Sequence, residues 1–476
     1  MTLSRREFSL LLASSVAALR IPKSHAGPLR VRRDINTLSS TELATYRSGV
    51  AAMRALPFTD AKSLMWQSYV HGVDPPWVTG IPQTEYDTYF NKCNHGTHFL
   101  SWHRWYTLFW EEIARQLCGV NAFNMPYWDS VADQGYLPDA VRVPANESNS
   151  LYDDSRNNAL NAGTAAISGL VNDALLKAPF AAFSGGEGSV NSMPHARVHN
   201  QMGGHMLFFG ESAQDPIFFL HHCNIDRYWE CWLGLARRGH VNPGAPYTEQ
   251  TFLFNTFDGP ETVVVGTGMR TSDLGYTYDK CPVPPVKFKV PERLLNLVWD
   301  DVQFLDVPRP DPPPPIIRTL LETQEFTLNG CSNVVPLPRQ ALARTGFDFN
   351  NPAASLTIGM RYVMLTELGR RGGYEIEVWL APEAGLVGQR ELQGAVKIGS
   401  LGTFSLGHVM HHGAHGDAPS LVFDLSSEAR RLLGGSATPG VVFVRRGLVD
   451  RRGVELPFDA AAPLFDVGGL MIGATR

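Results

Sequence analysis

The sequence predicts two domains of different class: a mainly α domain, followed by a β-sandwich or small β-barrel. Three observations carry this. Residues 27–305 are rich in Trp, Tyr, Phe and His and contain long stretches with helical apolar spacing. A proline run, Pro308-Arg309-Pro310-Asp311-Pro312-Pro313-Pro314-Pro315, interrupts the chain. Beyond it the apolar period changes to two. At 476 residues the chain has ample length for more than one buried core.

Each element follows from local pattern. Arg5-Arg6 precede an apolar run from Leu10 to Leu19, and Ser24-His25-Ala26 offers a small-residue cleavage site before Gly27. This order of charge, apolar core and cleavage site resembles a twin-arginine export signal over residues 1–26. It implies an exported protein, periplasmic or secreted, with no membrane association after cleavage. The run is shorter than the roughly 20 residues a bilayer span needs. From Trp102 to Leu117, apolar Trp105, Leu108, Phe109, Ile113 and Leu117 share one helical face. Ile217 to Leu235 is a second, nearly all apolar helix, with Asp215 as cap and Pro216 in the first turn. Tyr136 to Gly188 is poor in large apolar residues and reads as loops with short helices. The mainly α domain is assigned to 27–305 and a stiff Pro-rich linker to 306–320. The β-rich domain takes 321–476, with strands at Tyr374–Leu380, Leu421–Leu425 and Val441–Val444.

A net charge of −5 gives no basic footprint for nucleic acid. Six cysteines in a chain this long are not a dense disulfide framework, and their pairing is not readable from sequence. The oligomeric state is not readable either.

The fifteen histidines are clustered. His71 is followed by the run CNHGTHFLSWHRWY, residues 93–106; His195 and His199 lie in PHARVH; and DPIFFLHHCNIDRYW spans 215–229. His195 and His199, four apart on a helix, present two imidazoles on one face. His222, from a different helix, completes a three-imidazole set. Imidazole-only sets suit copper, zinc, iron or nickel. A zinc hydrolase is disfavoured because no Glu stands within the HxxxH as a base. His408, His411, His412 and His415 lie in a glycine-bearing stretch and read as a solvated loop, with metal handling the minority reading.

The two long runs resemble the copper-site signatures of the tyrosinase, catechol oxidase and haemocyanin family. The likeness covers roughly residues 30–305 and includes Gly275-Tyr276-Thr277-Tyr278. It implies a helical bundle around a type-3 dicopper centre, with two copper ions as cofactor and O₂ as cosubstrate. By that resemblance His71, His95 and His103 hold the first ion, and His195, His199 and His222 the second. His222 is chosen over His221 because the family uses the second His of the pair. His95 and His103 are eight apart where the family has nine, so His98 is the competing ligand. Cys93 stands two before His95, the spacing of a Cys–His thioether in several members. The implied reaction oxidises o-diphenols to o-quinones, so the expected partners are small phenols. Monophenol hydroxylation is the secondary expectation, because Ala196 and Asn191 replace the Asn and Glu of many hydroxylating members. Glu187 and Asn200 are the substitute proton-handling candidates, and Phe209 stands where a gating Phe occurs. The β-rich domain resembles one that covers the copper site in some members. A reversible O₂ carrier is the alternative function on the same dicopper chemistry.

Overall fold

The computed structural model describes residues 29–73, 80–185, 189–235, 239–282 and most of 317–475, apart from 383–391, 407–420 and a few short turns or single positions. The export-signal, Glu187 and His408–His415 expectations and residues 306–316 of the expected linker lie outside the described residues, whereas residues 317–320 of that linker already belong to the strand Ile317–Glu322. No described helix is long and apolar enough to cross a membrane.

The first domain is helical, as expected. Five helices matter for the site: α1 (Ser40–Arg54), α2 (Leu64–His71), α3 (Phe99–Cys118), α4 (Arg197–Met202) and α5 (Ile217–Gly234). Ser39 and Glu42 form a reciprocal capping box that fixes the start of α1. Gly119 ends α3 in the left-handed conformation, φ 68°, where a Cβ would be strained. The sequence predicts one buried face on α3, but nearly the whole circumference is buried, because α1 and α5 pack on it from different sides. Asp215 does serve the start of α5, accepting from the Ile217 amide at 2.9 Å. It is also held by the buried Arg156 guanidinium at 2.6 Å. Among the described residues between α3 and α4 only short helical segments occur, at Asp139–Arg142, Asn158–Asn161, Asp173–Leu176, Phe180–Ser184 and Asn191–Ala196.

One buried charge cluster locks α3 to α5. Asp226 on α5 takes Arg104 Nε of α3 at 2.5 Å, Tyr276 Oη at 2.7 Å and Tyr278 Oη at 2.6 Å. Arg32 lies over the Tyr276 ring at 3.8 Å, on a strand, Arg30–Arg32, that pairs in parallel with Tyr276–Tyr278. The beginning and end of the domain thus close on the same carboxylate. A disulfide joins Cys231, near the end of α5, to Cys281, while Cys93, Cys118 and Cys223 are free.

The second domain is β-rich. One four-stranded sheet runs in the order Val396–Leu401, Tyr374–Ala381, Gly440–Gly447, Asn333–Pro336; the other runs Leu421–Asp424, Ser355–Arg361, Gly469–Thr475, Ile317–Glu322. Ile376, Val378 and Phe443 of the first share a core with Ile358, Leu470 and Ile472 of the second, the arrangement of a sandwich.

The alternating strand Tyr374–Ala381 departs from expectation in one respect. Alternation predicts a half-buried strand, yet Glu375 and Glu377 on its polar face are buried too. They face the first domain and hold Arg197 of α4: Nε to Glu375 at 3.0 Å and Nη2 to Glu377 at 2.5 Å. Burial works against ionisation of Glu377, but Arg197, Lys397 and Arg446 together hold its carboxyl down at about 2. A carboxyl depressed in the folded state stabilises above its ordinary pKa, and that contribution is lost as pH falls through the folded value. For Glu377 it is on the order of 3 kcal/mol. The melting temperatures of wild type and Glu377→Gln are therefore expected to differ by a constant gap from pH 7 to 5. That gap should close between about pH 4.5 and 2. A gap undiminished at pH 2 would refute the seam ion pair as its source.

Candidate metal centre

Two sets of donor atoms converge in the first domain. His71, Cys93, His95 and His103 each present a ligand atom within 4.8 Å of the others, and so do His195, His199 and His221. All seven residues are buried. His71 ends α2, Cys93 and His95 lie on the loop that leads into α3, and His103 is one turn into α3. His195 closes a π-helical turn, Asn191–Ala196, that feeds directly into α4, where His199 stands. Their rings are 4.7 Å apart, the closeness that a four-residue helical spacing predicts.

Hydrogen bonding prepares these rings as ligands. His103 Nδ1 lies 2.7 Å from the Phe99 carbonyl, His199 Nδ1 2.7 Å from the Met206 carbonyl and His195 Nδ1 3.1 Å from the Asn191 carbonyl. A carbonyl only accepts, so each Nδ1 is the N–H and each Nε2 carries the lone pair. The Nε2 atoms of His195 and His199 have no protein partner and no exposure. Burial pushes the pKa of His103 and of His199 down to about 3, and those of His195, His221 and His222 well below the usual histidine value. The imidazoles are therefore neutral, the form a metal needs. Buried lone pairs without partners, no carboxylate in either set and a single neighbouring thiol suit copper.

The adjacent pair on α5 splits between the two sets. The His221 ring lies parallel to that of His195, 5.5 Å away, and its donor belongs to the close set. The His222 ring stacks on His103 at 4.1 Å and lies 4.9 Å from His195, so it bridges the two sets. Both ring nitrogens of His222 are buried and unpartnered. The sequence pattern singles out His222; the proximity of His221 was legible only as the first letter of an HH pair.

Other expected residues are placed as follows. Cys93 Sγ lies 3.4 Å from His103 Nε2, within the set that also contains His95. His98 caps α3, stacks on Tyr247 at 4.3 Å and is not among the close donors. Phe209 packs on His71 at 4.8 Å and on His95 at 4.9 Å. Asn200 turns to the second domain, its Oδ1 accepting from the Phe404 amide at 3.2 Å.

Sequence reasoning missed Phe404. It belongs to the second domain, yet it is buried in the core of the first. Its ring stacks on His199 at 3.9 Å with an interplanar angle of 12°, and lies 5.3 Å from His195 and 5.4 Å from His95. Gly402 allows the approach, since a Cβ there would meet Asn200 at 2.2 Å. A lone Phe in a Gly-Thr-Phe-Ser stretch carries no sequence signal of this role.

Comparison with known proteins fits this geometry. The common central domain of tyrosinase matches residues 62–175 and 145–235. A tyrosinase, HcTyr1, of Hahella sp. (strain CCB-MM4) is 29% identical over 311 residues, covering 56% of this chain and 66% of the relative. Polyphenol oxidase II of Ipomoea batatas is 26% identical over 327 residues, covering 57% of this chain and 53% of the relative. The chain thus matches between half and two thirds of the length of these relatives. Among solved structures, a latent aurone synthase superposes with a TM-score of 0.57 at 18% identity, covering 97% of this chain and 94% of that one. A latent apple tyrosinase gives 0.57 at 19% identity, covering 97% and 100%. At such identities the likeness is one of fold, and it extends over both domains.

Proposed function

We propose that this chain, a member of the type-3 dicopper tyrosinase and catechol oxidase family, is a copper-dependent phenol oxidase that converts o-diphenols to o-quinones with O₂. The observation that carries the reading is the pair of abutting, buried, carboxylate-free histidine sets. His71, His95 and His103 would hold one ion and His195, His199 and His222 the other. Copper bound there supplies O₂ activation and accepts the electrons of the phenol. The residues of the chain do the rest. The backbone carbonyls of Phe99, Asn191 and Met206 fix the ring orientations. Phe209 and the His199 face bound an apolar slot of aromatic width, in which Phe404 now lies. The second domain, through Phe404, keeps phenols and water out of the centre until it moves.

Ala196 and Asn191 favour o-diphenols over monophenols, because Asn191 offers no carboxylate and Ala196 no amide to orient a water for the phenolic proton. Steady-state rates of the copper-loaded protein on L-DOPA and L-tyrosine test both parts of the reading. Rapid DOPA oxidation, abolished by chelation, with a much slower tyrosine rate is expected. No DOPA turnover would sink the oxidase, and comparable rates would sink the preference.

His222 as ligand is tested by metal content. His222→Ala is expected to retain about half the copper of wild type, since one of two sites loses a donor. His221→Ala is expected to retain most of it. The reverse order of copper contents would transfer the ligand role to His221.

A further inference from the structure

A cleft of about 580 Å³ opens along the seam between the domains, and nothing in the proposed oxidase chemistry uses it. Met193 and Arg197 contribute to one wall; Glu377, Trp379, Lys397 and Arg446 contribute to the other. We propose that this cleft binds a small aromatic monocarboxylate, and that a ligand seated in it holds the two domains closed.

The charge pattern points to an anion. Three cations converge on one carboxylate: Arg197 at 2.5 Å, Arg446 at 2.8 Å and Lys397 at 3.5 Å from Glu377 oxygens. Glu375 behind Arg197 supplies the second carboxylate, so the cluster holds three positive and two negative charges. Arg446 keeps 44% of its side chain exposed and is free to take a second partner in the cleft. Two other acids border the space. Glu455 is already engaged by Arg445 and the Gly447 amide. Asp173, the other, stands on the first-domain wall, and Lys397 and Arg446 stand on the second-domain wall.

The apolar pattern points to an aromatic body. Trp379 lies on the same face of its strand as Glu375 and Glu377, is only partly buried, and orients its indole by donating Nε1–H to Glu377 at 3.3 Å. Met193 faces the cleft from the first domain. A flat ring between an indole and a thioether, with its carboxylate on Lys397 and Arg446, satisfies both halves of the lining. The volume lies in the ordinary range for small-ligand sites.

The thermodynamic consequence follows from the walls. Because they come from different domains, the complete site exists only while the domains are together. A ligand that needs both walls therefore favours the closed form, in which Phe404 occupies the metal centre. The seam site would act as a brake on access to that centre.

The test uses the full chain stripped of copper, so that the metal centre offers no carboxylate ligand and the outcome does not depend on the oxidase reading. Benzoate titrated calorimetrically is expected to bind at one site per chain. Lys397→Met and Arg446→Met are each expected to weaken binding by about tenfold, the loss of one charge-assisted contact. Lys397→Met can disturb the seam, so Arg446→Met, at a half-exposed position, serves as the second variant. Hydrogen exchange of the Phe404 amide should slow as benzoate saturates. Absence of saturable binding, or equal binding by wild type and Arg446→Met, overturns the site. Binding that leaves Phe404 exchange unchanged overturns the brake.

Discussion

Asp226→Ala is expected to destabilise the first domain by about 3–5 kcal/mol and to leave it unable to retain copper. Asp226 is buried and stands one helical turn after His222 on α5. Its partner Arg104 directly follows His103 on α3. The carboxylate therefore ties together the two helices that carry one histidine of each set. Removing it leaves the Arg104 guanidinium, fully buried and stacked 3.7 Å over Trp229, without its nearest counter-charge. Arg32 and the hydroxyls of Tyr276 and Tyr278 lose the same acceptor or counter-charge. Glu230, 3.7 Å from Arg104, replaces it only in part, so the penalty is that of an under-compensated buried charge, not merely of one lost hydrogen bond. A fall in melting temperature on the order of 10 °C should accompany it. Calorimetry and copper analysis check the two effects separately. Asp226→Asn keeps the shape and two hydrogen bonds and should fall between. Full copper occupancy in Asp226→Ala would show that the helix register survives without the ion pair.

Much of the centre was legible in the sequence, for a physical reason. Helical ligands come at fixed spacing, so His195 and His199 announce themselves as a pair four residues apart, whereas His71, His95, His103 and His222 are picked out only by the resemblance of the His-bearing apolar runs to the family's copper-site signatures. The core helices α3 and α5 were equally readable, since apolar periodicity is a local property. What was not legible depends on contacts between distant segments. Glu375 and Glu377 look like the solvent face of a half-buried strand until the fold puts Arg197 against them. The split of His221 and His222 between two neighbours depends on the rotation of α5, which is fixed by packing and not by the dipeptide. The Cys231–Cys281 pairing was open for the same reason, because it needs the chain to return to the end of α5. Asn200 is the instructive case. Its position beside His199 suggested proton handling, yet its amide oxygen is occupied by the Phe404 amide.

Phe404→Ala is expected to raise catechol oxidation by the intact, copper-loaded chain at least about tenfold per bound copper. Phe404 is 3% exposed and its ring covers the His199 face that an aromatic substrate would have to approach. A substrate can bind only in the fraction of molecules from which that ring has withdrawn, so its apparent affinity is reduced by that fraction. Truncating a buried Phe to Ala typically costs about 3–5 kcal/mol. Here that loss falls on the docked position of the second domain, because the ring packs in the first domain's core and not in its own. A tenfold change needs only about 1.4 kcal/mol of it. Phe404→Leu, which keeps apolar bulk but loses the flat stacking surface, should show a smaller gain. The ion pairs of Arg197 with Glu375 and Glu377 remain in both variants, so the gain reports removal of the plug and not detachment of the whole domain. Copper analysis of each preparation alongside initial rates on 4-tert-butylcatechol separates plug removal from metal loss. If Phe404→Ala binds wild-type copper and is no faster, the ring does not limit access, and the route to the centre must lie elsewhere along the seam.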